Sequence, residues 1–140
     1  MEISLEEIPY FGRLEITDNV ISGLIKFMEK AGNLKVPDKP EFPSESNRKL
    51  IVRLLKEEVA ETQEASFEGD YEGYLDGLGD VLFVVCTAVL NCGVDPFELL
   101  QEITNSNLTK FREGHYWDER GKLIKSPRYD PVALKRFLQE

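Results

Sequence analysis

The chain has 140 residues, of which 41% are hydrophobic and 31% are charged, and its formal net charge at pH 7 is -9. The length fits one compact domain, and the hydrophobic and aromatic content excludes an intrinsically disordered chain. A charge this negative disfavours binding to a nucleic acid polymer or to an anionic membrane.

Nothing in the sequence predicts secretion or membrane insertion. Three of the first seven residues are glutamates, which is unlike a signal peptide, and the longest apolar run, residues 81–90, is shorter than the roughly 20 residues of a membrane span. Cys86 and Cys92 lie six residues apart in that apolar region and would point in different directions on a helix, so we expect two reduced thiols. These features together predict a cytoplasmic protein.

The first half of the chain predicts two helices. Helical spacing of apolar residues predicts the first from Ile16 to Gly32, with Asp18 as its N-cap. Three prolines interrupt regular structure between residues 37 and 43, and a second helix is then predicted from about Ser46 to Phe67. Its buried side is expected to carry Leu50, Ile51, Leu54 and Leu55.

Two more helices are predicted after a tight turn at Gly69. Asp70 is a suitable N-cap for a third helix from Tyr71 to Asn91, and Asp95 precedes a fourth that runs from Pro96 to about Lys110. The inward side of the third helix is expected to carry Tyr74, Leu75, Leu78, Leu82, Val85 and Val89. That of the fourth is expected to carry Phe97, Leu100, Ile103 and Thr104.

Glycines and prolines break the chain into turns after Phe111, with a short hairpin expected around residues 119–122 and a final short helix from Val132 to Leu138. The predicted fold is all-α: a helical bundle built on an antiparallel helix hairpin, with a loop-rich C-terminal tail. We assign residues 1–140 to one domain, with a helical core at 16–111 and a basic tail at 112–140.

Acidic residues are concentrated on the second and third helices. They are Glu57, Glu58, Glu61, Asp76 and Asp80. If the two helices form an antiparallel hairpin about Gly69, Glu58 lies opposite Asp80 and Glu61 lies opposite Gly77. Four or five carboxylates would then converge between the helices.

Carboxylates that converge in a partly buried place repel one another unless a cation neutralises them. Because the donors are all oxygen and no histidine or cysteine is close in sequence, the pattern favours Mg²⁺, with Mn²⁺ also suitable, over zinc or copper. A ferritin-like di-iron site would require Glu-x-x-His pairs, which the sequence lacks. The remaining alternative is a solvated acidic face.

Basic residues are concentrated in the tail, where residues 110–136 contain eight lysines and arginines against four acids. A basic segment beside an acidic metal site would offer counter-charge to a polyphosphate. The residues predicted to bind substrate are Asn107, Lys110, Arg120, Lys122, Lys125 and Tyr129. Asn107 and Lys110 share one face near the end of the fourth helix, and the Tyr129 ring is suited to stacking. His115 is interpreted as a surface residue.

Several segments together resemble the all-alpha nucleoside triphosphate pyrophosphohydrolase superfamily, the MazG-like proteins, and its phosphoribosyl-ATP pyrophosphohydrolase-like branch. They are the Glu-Glu-x-x-Glu pattern at 57–61, the Gly-Asp-Val-Leu-Phe run at 79–83, Ser-Asn-Leu-Thr-Lys at 106–110 and the Gly-Lys-to-Tyr segment at 121–129. The chain departs from the family at one position. The commonest pattern in the third helix is Glu-x-x-Asp, whereas here Gly77 precedes Asp80 by three residues and the nearest acid is Asp76.

The resemblance implies Mg²⁺-dependent hydrolysis of a (deoxy)nucleoside triphosphate or similar nucleotide to a monophosphate and pyrophosphate. The implied metal ligands are Glu58, Glu61, Asp76 and Asp80, with Glu57 as the general base. A non-catalytic helical interaction module stabilised by a metal is the alternative. Because the apolar stripes of the third and fourth helices look too wide for one protomer to cover, we expect a homodimer or homotetramer with its site near the subunit interface.

Overall fold

The computed structural model describes residues 16–138, and this part of the chain is an all-α bundle with a loop-rich C-terminal tail. The four α-helices are α1 (Ile16–Ala31), α2 (Glu45–Glu68), α3 (Tyr71–Asn91) and α4 (Pro96–Leu108). A 3-10 turn, Thr109–Phe111, extends α4. The antiparallel hairpin of α2 and α3 forms the most extensive contact between elements, as predicted.

Local capping explains where these helices begin and end. Ser44 Oγ accepts a hydrogen bond from the Asn47 amide at the start of α2, and Gly69 ends that helix with a φ of 71°. Asp70 then caps α3 by accepting from the Gly73 amide at 2.9 Å. The predicted cap of the first helix was wrong, because α1 already includes Ile16 and Asp18 therefore lies inside it.

The core lies where α1 crosses the α2–α3 hairpin. Its buried apolar residues are Leu24, Met28, Leu34, Ile51, Val84 and Leu90. The predicted inward side of α2 is confirmed, since Ile51 is buried and Leu50, Leu54 and Leu55 pack against the core. An edge-to-face contact between Phe27 and Phe83, with ring centroids 4.9 Å apart, joins α1 to α3.

The predicted inward side of α3 was wrong for the protomer. Leu75 and Leu82 are 55% and 65% exposed, and the buried residues of α3 are instead Gly77, Val84, Thr87, Leu90 and Asn91. The side of α3 that faces α2 carries small residues, which let the two backbones approach closely, so the large apolar residues remain on the outside. On α4, the predicted inward residues Phe97, Leu100 and Thr104 are likewise exposed.

α3 as a whole also corrects the expectation drawn from the longest apolar run. Over Tyr71–Asn91 the helix is long and apolar enough to cross a membrane by length and composition, and most of its apolar stretch is not buried in the protomer. Core helices of soluble proteins pass the same test, so this property alone does not place α3 in a lipid bilayer. What it does establish is a long apolar face that the protomer leaves open.

The tail folds back onto the end of α4. It contains the expected hairpin, formed by β1 (Tyr116–Trp117) and β2 (Leu123–Ile124), with Tyr116 paired to Ile124. The final helix predicted from Val132 to Leu138 is only a 3-10 turn, Lys135–Phe137. Both cysteines are free thiols, and burial raises the pKa of each, as expected for unreactive groups.

Candidate metal and nucleotide site

Three carboxylates from the α2–α3 hairpin converge on one point. Glu58, Glu61 and Asp80 each offer an oxygen, and the three oxygens lie within 4.8 Å of one another. Glu58 and Glu61 are one turn apart on α2, and the antiparallel arrangement brings Asp80 of α3 to the same height. The structure therefore places Glu58 opposite Asp80, as the spacing about Gly69 predicts.

The electrostatic environment of Glu58 is unfavourable for a bare carboxylate. Burial, followed by the charges of Glu61 and Asp80, raises the pKa of the Glu58 carboxyl above its ordinary value of 4.5. Its Oε2 atom is buried and has no hydrogen-bond partner. A buried oxygen without a donor costs free energy, and a cation placed between the three carboxylates would remove that cost.

The donor set fits a hard divalent cation. All three groups provide carboxylate oxygens, and no histidine or cysteine belongs to the cluster. Three converging carboxylates can supply part of an octahedral oxygen shell, with water and phosphate completing it, as Mg²⁺ and Mn²⁺ prefer. Neither zinc nor copper would gain its preferred nitrogen or sulfur ligands here.

Asp76 lies one turn before Asp80 on α3, but its carboxylate is not part of the cluster. It is exposed and lines an open cleft of about 730 Å³ beside Asp80. The cleft runs along the N-terminal half of α3 from Asp70. Asp76 therefore sits at the border of the carboxylate cluster, where it faces solvent.

Gly77 occupies the position at which the superfamily that this sequence resembles most often has a glutamate. It is buried, and a Cβ atom added there would overlap Thr62 Oγ1 and lie 3.1 Å from Thr62 Cα. Thr62 itself is buried, and its hydroxyl donates to the Glu58 carbonyl at 2.7 Å. Close packing of the two helices thus leaves no room for a side chain at position 77 unless the helices move apart, and glycine there supplies no fourth carboxylate.

Glu57 is exposed and lies outside the cluster. It lines a groove on the outer side of α2 together with Val52, Arg53 and Lys56. Neighbouring residues on a helix differ in direction by about 100°, so Glu57 and Glu58 point to different sides. Glu57 is nevertheless close enough for its charge to contribute to the raised pKa of Glu58.

The predicted substrate-binding residues lie on or beside the tail, at the end of α4. Asn107, Arg120, Lys122 and Lys125 are exposed, whereas Lys110 and Tyr129 are half-buried. The Lys125 ammonium lies 4.0 Å from the centroid of the Tyr129 ring. This cation–π contact covers one face of the ring. In the described part of the chain no hydrogen bond or ion pair joins residues 109–138 to α2 or α3.

Sequence reasoning missed two residues that position these groups. Thr62 sets the approach of α3 to α2, and the signal was the unusual glycine on the facing helix. Ser126 is fully buried, and its hydroxyl donates to the Glu113 carbonyl and accepts from the Arg128 amide. Its own amide donates to the Lys110 carbonyl, which fixes the tail to the end of α4. No sequence pattern predicted that serine.

Comparison with known proteins is consistent with this geometry. A family model described as phosphoribosyl-ATP pyrophosphohydrolase matches residues 26–107, which include the whole α2–α3 hairpin and almost all of α4. A search of curated proteins found no match to the chain.

Proposed function

Because the chain belongs to the phosphoribosyl-ATP pyrophosphohydrolase family, we propose that it is a Mg²⁺-dependent nucleotide pyrophosphohydrolase. Its substrate would be a (deoxy)nucleoside triphosphate or a similar nucleotide, and its products a monophosphate and pyrophosphate. The observation that carries the proposal is the carboxylate cluster of Glu58, Glu61 and Asp80, with its buried, unpartnered oxygen. Mn²⁺ is the natural substitute for Mg²⁺ at such a site.

In this proposal Glu58, Glu61 and Asp80 hold the metal, and Asp76 joins them from the edge of the adjoining cleft. When bound, the cation supplies neutralising charge for phosphate oxygens and lowers the pKa of water. Water then attacks the α-phosphorus, and the bond from that phosphorus to the pyrophosphate oxygen breaks. Glu57, which lies outside the cluster on a neighbouring side of α2, would accept the proton lost by the attacking water through one bridging water molecule.

The tail contributes the remaining charge and the polar contacts to the substrate. Lys110, Arg120, Lys122 and Lys125 would neutralise the phosphates that leave as pyrophosphate. Asn107 and Tyr129 would contact the rest of the nucleotide through hydrogen bonds and ring contact. These assignments rest on the exposure of Arg120, Lys122 and Lys125 and on the lack of a carboxylate partner for any of the four cations among residues 16–138.

The proposal is tested with a panel of canonical, deoxy and modified nucleoside triphosphates plus phosphoribosyl-ATP, incubated with the protein and Mg²⁺ or Mn²⁺. We expect release of pyrophosphate and no orthophosphate from at least one compound. In ¹⁸O-labelled water, the label should enter the monophosphate and not the pyrophosphate, because water attacks the α-phosphorus. If no compound yields pyrophosphate with either metal, the proposed activity is wrong.

A non-catalytic, metal-stabilised interaction module is the second candidate, and the glycine at position 77 favours it because it removes one carboxylate from the site. Glu61→Gln separates the two candidates. A module should lose metal-dependent stability and keep its partner, whereas an enzyme should lose turnover with its fold retained. Glu64→Gln, an exposed α2 residue outside the cluster, is the matched control.

We also propose that the protein acts in the cytoplasm as a homodimer or homotetramer that does not bind nucleic acid polymers or membranes. The open apolar face of α3 supports self-association, because Leu75, Leu78 and Leu82 are all exposed in the protomer. Val52 and Val59 of α2 are exposed as well. A monomer in sedimentation at micromolar concentration would contradict the assembly.

A further inference from the structure

The positive charges of the tail divide into two groups by their ion pairs. Arg112, Arg128 and Arg136 are paired, with Asp130 at 3.0 Å, Glu113 at 3.4 Å and Glu102 at 3.0 Å respectively. The other cations of the tail and the preceding 3-10 turn have no carboxylate within ion-pair distance in the described part of the chain. They are Lys110, Arg120, Lys122, Lys125 and Lys135.

The carboxylate cluster carries negative charge that is likewise without an ion-pair partner. Glu58, Glu61 and Asp80 form no ion pair with any lysine, arginine or histidine within residues 16–138. The protomer therefore holds an unpaired acidic site on the α2–α3 hairpin and an unpaired basic surface on its tail. These two surfaces have complementary charge, which suits a contact between two copies of the chain.

The tail is held away from the α2–α3 hairpin by several hydrogen bonds to the end of α4. The Ser126 amide donates to the Lys110 carbonyl, the Asp130 amide donates to Thr109 Oγ1, and Ser106 Oγ donates to the Asp130 carbonyl. Movement of the tail onto its own acidic site would break these bonds. A second copy could instead bring its tail to the site with every bond intact.

The open apolar face of α3 provides the means to bring that second copy close. It lies on α3, one of the two helices that carry the carboxylate cluster, so a partner that covers it comes within reach of the cluster. We propose that the site is completed in trans: the basic tail of one protomer supplies the phosphate-binding cations for the carboxylate cluster of its partner. This inference rests on the proposed function and on its homodimer.

Subunit complementation tests the inference. One variant, Glu61→Gln, loses the metal site, and another, Lys122→Ala with Lys125→Ala, loses the tail cations; each alone should lose about 100-fold or more of the activity. The two subunits carry different affinity tags, are co-expressed, and are purified as the mixed dimer. One site of that dimer then has an intact cluster and an intact tail, so about half of the wild-type activity should return.

If the tail serves its own protomer, both sites of the mixed dimer contain one defect each. Activity no higher than that of the parent variants would then overturn the inference. Lys135→Ala is the control, because Lys135 is also unpaired but lies in the terminal 3-10 turn, outside the proposed phosphate-binding group. The Lys135→Ala homodimer should keep wild-type activity, and its mixed dimer with Glu61→Gln should keep about half, because one of the two clusters still carries the Glu61→Gln defect.

A second measurement does not depend on activity. Wild-type protein made from ¹⁴N-labelled and ¹⁵N-labelled subunits is treated with a zero-length carbodiimide, which joins lysines to carboxylates in contact. We expect peptides that join residues 57–61 of one isotope to lysines 122 or 125 of the other. The inference would be contradicted if every cross-link at these residues joined peptides of the same isotope, or if no cross-link formed there. A wild-type protein that releases no pyrophosphate would instead contradict the proposed function alone.

Discussion

Gly77 of α3 lies directly against Thr62 of α2, so closely that a Cβ atom at position 77 would meet the threonine side chain and backbone. This contact sets the separation of the two helices that carry the carboxylate cluster. It lies one residue beyond Glu61 on α2 and three residues before Asp80 on α3. The distance between the carboxylates of the cluster is therefore controlled by a glycine that belongs to no part of the cluster itself.

Gly77→Ala is expected to destabilise the protein by about 1–3 kcal/mol, because the added methyl group must push the two helices apart. Gly79→Ala is the matched control, since a Cβ there meets nothing within 4 Å. That variant should be neutral or more stable by up to about 1 kcal/mol, from improved helix propensity. Urea denaturation of both variants measures the difference, and equal stabilities would show that the contact does not matter.

The pKa of Glu58 predicts how the metal-free protein responds to pH. Because this pKa is raised in the folded state, the folded protein binds the Glu58 proton more tightly than the unfolded chain does. This contribution to stability is present below the ordinary value of 4.5 and is lost as pH rises through the raised pKa. In EDTA, wild type should lose more stability over this pH range than Glu58→Gln does.

The comparison of the two proteins in thermal unfolding isolates this one carboxyl from the other titrating groups. Mg²⁺ should reverse the trend for wild type, since the cation favours the ionised carboxylate and competes with the proton. The reversal should be absent or much smaller in Glu58→Gln. Parallel stability curves for the two metal-free proteins would contradict the electrostatic account of the cluster.

Glu57→Gln tests the proposed general base separately from metal binding. Because Glu57 lies outside the cluster, the variant should bind Mg²⁺ or Mn²⁺ as wild type does. Loss of a general base should lower kcat by about 10²–10⁴-fold and remove the acidic limb of the pH–rate profile. Unchanged kcat would assign proton removal to another group, and weakened metal binding would place Glu57 among the ligands.

Leu82→Glu tests whether the open face of α3 is a subunit interface. Leu82 is 65% exposed in the protomer, so a charge there costs little in a monomer but is expensive inside an apolar interface. Sedimentation should show wild type as a dimer or larger and Leu82→Glu as a folded monomer. Val20→Glu, at an exposed apolar position of α1, should leave the assembly unchanged.

Local signals predicted the helices well and their faces less well. Ser44, Gly69 and Asp70 act through neighbouring backbone groups, which is why the ends of α2 and the start of α3 could be predicted within one or two residues. The outward direction of Leu75 and Leu82 could not, because periodicity shows which residues share a face and not whether the same chain covers it.

The candidate site could also be predicted only in part from the sequence. The pairing of Glu58 with Asp80 follows from hairpin geometry and was predictable. The position of Asp76 outside the cluster depends on how closely the helices approach, which Thr62 and Gly77 determine together. The direction of the tail depends on long-range hydrogen bonds of Ser126, which no local pattern encodes.

The most direct test of the central claim is a crystal structure of the protein grown with Mn²⁺ and measured at the manganese absorption edge. We expect an anomalous peak between α2 and α3, about 2 Å from oxygens of Glu58, Glu61 and Asp80. A structure that shows these three carboxylates apart and turned into solvent, with no peak between them at saturating Mn²⁺, would contradict the account.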